Sequence, residues 1–142
     1  MATDLNLHRK STATLPGHRD PSDPALLERE REIMNRERTW LLCFTVDRSI
    51  SGQMGKPWTI REDWIIRNSR HWGLQRLSKP WDLGLSALVE LMRIMARQFD
   101  FLFSSTTTVS GLNTDIDYST TLKIFNEQLQ VRPGASKARG DC

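Results

Sequence analysis

The sequence predicts an all-α fold: about three principal helices with a tryptophan-rich connecting loop, forming a partial helical array. Three observations predict it. Apolar residues recur at three- and four-residue spacing in the second half of the chain, no stretch alternates strongly with the period of a strand, and the densest apolar run follows a clear helix start. A length of 142 residues fits one domain. With 38% hydrophobic and 26% charged residues, the chain lies on the polar side of globular proteins and outside the disordered class.

Residues 1–24 read as a helix end and a loop. Leu5, Leu7 and His8 suit a last helical turn, and Pro16-Gly17, Asp20-Pro21 and Asp23-Pro24 punctuate the loop after it. Asp23 offers a carboxylate to free amides, and Pro24 suits the first helical position because its missing N–H would go unpaired there. The helical body is expected over residues 25–131. Residues 132–142, RPGASKARGDC, have no periodicity and are expected to be disordered.

The first helix is expected from residue 25 to about residue 51. Glu28 with Arg31 and Glu32 with Arg36 are spaced to pair on its surface, each contributing about a few tenths of a kcal/mol. From Trp40 to Val46 nearly every position is apolar, pointing all round the cylinder, so this helix is expected to be enclosed by other protein. Gly52 and Gly55 end it, and Pro57 marks the exit. Thr59-Ile60-Arg61-Glu62 has the form of a capping box before a short helix through Trp64 and Ile66, although the β-branched content leaves an extended reading open. Trp58, Trp64, Trp72 and Trp81 all fall in this connection and are expected to fold over the core, since an indole carries a large apolar area.

A second helix is expected from near Asp82 or Ser86 to about Phe103. Its stripe is Leu85, Leu88, Met92, Met95, Phe99 and Leu102. After a polar loop through Ser104–Thr108 and Gly111, a third helix runs from about Asp115 to Val131, with Tyr118, Leu122, Phe125 and Leu129 on one face.

Several chemistries fail on spacing. The turn Gly52-Gln53-Met54-Gly55-Lys56-Pro57 has two residues between its glycines, where a phosphate loop needs four, and a proline where that loop needs Ser or Thr. The two cysteines, Cys43 and Cys142, build neither a zinc site nor a disulfide framework. His8, His18 and His71 stand apart from one another and from any evident nucleophile. No catalytic, cofactor-binding or metal-binding residue is therefore assigned, and an enzyme is not expected. The 20 basic and 17 acidic residues interleave, as in Glu28-Arg29-Glu30-Arg31-Glu32, so no basic stripe is available for DNA. The N-terminus lacks the apolar core of a signal peptide, and no apolar run approaches a membrane span. A soluble intracellular protein is expected.

Asp47 lies about 20° from Trp40 on the helical wheel, on the side of Phe44 and Cys43. An unpaired carboxylate there would cost several kcal/mol, on the order of the desolvation penalties of buried polar groups. Arg48, about 100° round the helix, does not easily fold back onto it. The expected partner comes from another helix or from the tryptophan loop, in a pairing that fixes register; the functional alternative is that Asp47 or Arg48 grips a ligand.

Leu5-Asn6-Leu7-His8-Arg9, Glu37-Arg38-Thr39-Trp40, Asp47-Arg48 and Gly55-Lys56-Pro57 occur in this order. Together they resemble the middle homology (regulatory) region of fungal Zn(2)-Cys(6) binuclear cluster transcription factors, of the xylanolytic-activator type. The likeness is strongest from residue 5 to about 66 and extends more weakly through Ser110-Gly111-Leu112-Asn113-Thr114-Asp115. It marks Arg38, Trp40, Asp47, Arg48, Gly55 and Pro57 as the structural motif. It implies a nuclear, all-α regulatory module that modulates transcription by RNA polymerase II through protein contacts or a small-molecule effector. The family's six-cysteine, two-zinc reader is absent from this sequence, so zinc and direct DNA binding would belong to another domain. The family domain is longer at both ends, and the chain is accordingly expected to be a fragment of it. The alternative is a free-standing helical interaction protein that oligomerises with relatives.

Overall fold

A computed structural model describes residues 23–130. They form five helices: α1 (Pro24–Met54), α2 (Trp64–Arg67), α3 (Ser69–Trp72), α4 (Pro80–Leu102) and α5 (Tyr118–Gln130). No strand occurs among the described residues, and the all-α expectation holds. The expected N-terminal helix end and the expected disordered tail lie outside them. The described chain divides into two compact units, one ending at Arg93 and the other beginning at Ile94.

α1 begins as its sequence dictates. Asp23 is extended, its carboxylate accepts from the amide of Ala25 at 3.0 Å, and Pro24 takes the first turn. The expected surface pair Glu28–Arg31 closes at 3.4 Å. The helix passes through Gly52 and stops at Gly55, whose φ of 62° is left-handed and whose amide returns to the Ser51 carbonyl. Only the second glycine ends the helix. A glycine is tolerated in a helix interior at a modest propensity cost, whereas the left-handed cap position favours it positively.

The core of the first unit gathers Met34, Trp40, Leu41 and Phe44 of α1, Ile65 and Ile66 of α2, Trp72 of α3, and Leu85 and Val89 of α4. α1 contributes a seam at alternating three- and four-residue steps: Met34, Glu37, Leu41, Phe44, Arg48 and Ser51 are all buried. The expectation of a helix enclosed on every side is overturned. Leu42, Val46 and Ile50 are about half exposed, because the apolar run supplies two faces and this unit covers one of them.

The tryptophan connection is helical in two short pieces. Its cap is Asp63, whose carboxylate accepts from the amide of Ile66 at 2.9 Å, and not the expected box at Thr59–Glu62. Thr59 is engaged elsewhere, on Asp47. Of the four indoles, Trp72 is buried and Trp58 half-buried, but Trp64 and Trp81 are exposed, against expectation. Trp81 is partnered instead by the ammonium of Lys79, 5.1 Å from its ring.

α4 starts at Pro80, slightly earlier than expected. Its buried positions in the first unit are Asp82, Leu85, Ser86 and Val89; Leu88, assigned to the stripe by spacing, is exposed. The true seam lies one residue away because Asp82, a carboxylate, occupies a core position that an apolar template skips. Gly73 lets the α3 end approach α4: a Cβ there would collide with Ser86 Oγ and lie 3.1 Å from the carbonyl of Asp82.

In the second unit, Gly111 turns the loop at φ 74° and its carbonyl accepts from Ser105 at 2.9 Å. Asp117 accepts from Ser119 N at 3.0 Å and from Thr120 Oγ1 at 2.5 Å, and these bonds hold its carboxyl below the usual range. Phe101 meets Phe125 edge-on at 6.1 Å. The expected buried face of α5 is only half realised: Tyr118 and Phe125 are half-buried, while Leu122 and Leu129 are exposed.

Candidate functional site

The six residues marked by the sequence lie on or just beyond one helix, and four of them organise the polar frame around the first core. Arg38 projects from α1 toward the start of α4. Its Nε donates to Asp82 Oδ1 at 2.7 Å and its Nη2 to Oδ2 at 2.6 Å, a bidentate fork on a carboxylate with no solvent exposure. Asp82 Oδ2 also accepts from the amide of Lys79 at 2.7 Å. The hydrogen bonds from Arg38, against the opposing effect of burial, hold the Asp82 carboxyl below its ordinary value. The same bonds raise Arg38 above the ordinary arginine value. The guanidinium carbon stands 5.7 Å from the Trp72 ring, and Trp72 Nε1 donates to buried Glu37 at 3.0 Å.

One turn on, Trp40 Nε1 donates to Asp63 Oδ2 at 2.7 Å. Asp63 thus caps α2 with one oxygen and anchors α1 with the other. Asp47 meets the connection before it: its carboxylate accepts from Thr59 N at 3.2 Å, Ile60 N at 3.1 Å and the Thr59 hydroxyl. Arg48 Nη1 also donates to Asp47 at 2.8 Å, which the helical wheel did not anticipate. The arginine stem is flexible enough for its head to reach back although the two Cβ atoms diverge. The Arg48 guanidinium lies between two aromatic faces, 4.4 Å from the Phe44 ring and 5.1 Å from the Trp58 ring. Gly55 caps α1, and exposed Pro57 follows it out of the helix.

A second cluster was missed by sequence reasoning. Arg93 on α4 donates to Glu62 at 3.1 Å and to Glu90 at 2.8 Å, and Ser69 donates to Glu90 at 2.9 Å. Burial opposes the Arg93 charge, but the bonds from Glu62 and Glu90 outweigh it and raise its pKa. Glu90 and Arg93 are three apart on a helix, a visible signal; Glu62 and Ser69 carry none.

Chemically, this frame joins segments. Its carboxylates and guanidinium groups are committed to one another and to backbone amides across α1, the connection and α4. Cys43 is a free thiol packed against the core, and His71 is exposed. Among the described residues there is no group of three side chains suited to a metal ion, and no helix is long and apolar enough to cross a membrane. A shallow groove of about 530 Å³ runs along α5 in the second unit, lined by Ser119, Leu122, Lys123, Asn126, Glu127 and Gln130.

Two curated proteins are similar to the chain. Protein priB of Lentinula edodes is 35% identical over 111 residues, covering 77% of this chain and 18% of that protein. The transcriptional activator of proteases prtT of Emericella nidulans is 28% identical over 126 residues, 89% of this chain and 17% of that one. The chain thus spans less than a fifth of the length of either relative. No family model matches it, and no solved structure matches it.

Proposed function

We propose that the chain is a partial regulatory domain of a fungal zinc-cluster transcription factor, modulating transcription by RNA polymerase II in the nucleus through protein or effector contacts. The observation that carries this reading is the similarity to a transcriptional activator over most of the chain. The frame gives it a physical basis: Arg38, Trp40, Asp47 and Arg48 each tie α1 to a different part of the unit. On this reading the chain is not an enzyme, binds no cofactor itself, and leaves DNA recognition and zinc to a separate domain.

Fusion of residues 1–142 to an unrelated DNA-binding domain tests it. In a fungal host the fusion should change a reporter about threefold or more relative to the DNA-binding domain alone. An unchanged reporter at equal nuclear level would refute the regulatory role. A second reading, a helical interaction protein that oligomerises with relatives, is favoured by the aliphatic face left exposed on α1. Ligand titration separates an effector from both: quenching of tryptophan emission with a matching rise in Tm would identify a small-molecule effector.

A further inference from the structure

Between Met54, the last residue of α1, and Trp64, the first of α2, the chain runs through Gly55-Lys56-Pro57-Trp58-Thr59-Ile60-Arg61-Glu62-Asp63 without a helix. Thr59 is the only hydroxyl side chain of this stretch, and it is exposed. Asp47 fastens the stretch to α1 at that residue. Its carboxylate accepts from Thr59 N at 3.2 Å, from Ile60 N at 3.1 Å and from the Thr59 hydroxyl. One covalent change undoes such a fastening. A phosphate on the Thr59 oxygen removes the donated hydrogen and sets roughly −1.5 to −2 of charge against the Asp47 carboxylate. The rest of the frame permits the release. Arg48, on α1 itself, donates to Asp47 at 2.8 Å, so the carboxylate keeps a partner when the connection leaves. That guanidinium is enclosed by the Phe44 and Trp58 rings and already committed to Asp47, so it does not neutralise the newcomer. Lys56 and Arg61, both exposed, flank Thr59 and offer the phosphate counter-charge away from Asp47.

We propose that Thr59 is a phosphorylation site and that its phosphate unlatches the connection from α1. A serine/threonine kinase transfers the γ-phosphoryl group of ATP. Thr59 Oγ1 forms the new bond to phosphorus, the bond from phosphorus to ADP breaks, and the hydroxyl proton passes to the kinase's catalytic carboxylate. The flanking residues select the kinase class by charge and access. Met54, five positions before Thr59, is 65% exposed, and Lys56, three before it, is exposed as well. Glu62, three positions after, is held by Arg93 at 3.0 Å and does not guide an acid-directed kinase. Ile60 follows Thr59 directly, which excludes a proline-directed one. A kinase of the calmodulin-dependent type, with an apolar pocket for the first of these side chains and an acidic pocket for the second, fits the stretch. Only the last turn of α1 must fray for the segment to thread extended, and helix ends fray readily.

The inference stands apart from the regulatory reading, since phosphate transfer is measured without transcription. The 142-residue chain, incubated with calmodulin-dependent protein kinase, calcium, calmodulin and ATP, should gain a phosphate that tandem mass spectrometry places on Thr59. Lys56→Glu should slow the transfer about tenfold by removing the basic determinant. Asp47→Ala should speed it about threefold by holding the stretch open. In the phosphorylated chain, hydrogen exchange at the Thr59 and Ile60 amides should quicken about tenfold, while exchange from Leu85 to Val89 of α4 stays as it was. A chain that takes no phosphate, or takes it only elsewhere, as in the loop Ser104–Thr108, would overturn the site. Phosphate on Thr59 with both amides as protected as before would overturn the unlatching. Faster transfer to Thr59 by an acid-directed kinase would overturn the kinase class.

Discussion

The Arg38 guanidinium closes on the Asp82 carboxylate through two hydrogen bonds of 2.7 and 2.6 Å, joining α1 to the start of α4 across 44 positions of sequence. With Asp82 fully buried and Arg38 nearly so, removing one partner strands the other charge. Asp82→Asn and Arg38→Ala should each cost about 3–5 kcal/mol in urea denaturation. Joint replacement by Leu at 82 and Met at 38 should recover most of that loss, because packed apolar groups carry no stranded charge. A double variant as unstable as the singles would show that the fork itself supplies net stability.

The same pair sets a pH dependence. Asp82 is held below its ordinary value of 3.8, first by Arg38. Its contribution is therefore complete above 3.8, declines as pH falls below that value, and is lost once pH has passed through the lower folded pKa. Stability measured by denaturant midpoint should fall from about pH 4 downward, and Asp82→Asn should flatten that acid limb. An unchanged acid limb in Asp82→Asn would assign the loss to other carboxylates.

Asp47 couples α1 to the connection by accepting from Thr59 and Ile60. Asp47→Ala leaves those amides without their acceptor and should destabilise the first unit by about 1–3 kcal/mol. Hydrogen exchange at Thr59 and Ile60 should accelerate more than exchange in the middle of α1. Uniform acceleration across the unit would mean that the carboxylate acts on global stability alone.

Much of this frame was legible in one direction only. A carboxylate on an apolar helix face must find a donor; the sequence pointed to another helix or the tryptophan loop, and it is the loop, through Thr59 and Ile60, that supplies it. The Asp82 and Asp63 partners were not legible, because no periodicity links residues 44 or 23 positions apart. Apolar spacing likewise placed the second seam on Leu88 when Val89 is buried, since an apolar template skips Asp82. The exposed ridge of Leu42, Val46 and Ile50 escaped for a different reason. Hydrophobicity records that a face is fit to be covered, and this unit supplies cover for only the opposite side of the helix.

Three glycines separate close approach from backbone conformation. Gly84, exposed inside α4, has open space where a Cβ would project, so Gly84→Ala should stabilise by about 0.5–1 kcal/mol through helix propensity and the unfolded chain. Gly55 also has open space, but its φ of 62° opposes any side chain, and Gly55→Ala should cost about 1 kcal/mol. Gly73→Ala meets Ser86 Oγ and the Asp82 carbonyl in the packed junction of α3 and α4 and should cost about 1–3 kcal/mol. Its partial rescue by Ser86→Ala, which removes the hydroxyl that the new methyl would strike, distinguishes this collision from a backbone effect. If Ser86→Ala brings no recovery, the atoms it keeps, the Asp82 carbonyl and the Ser86 Cβ, are the obstacle, and Gly73 fixes how closely α3 approaches the helix that carries the Arg38 partner.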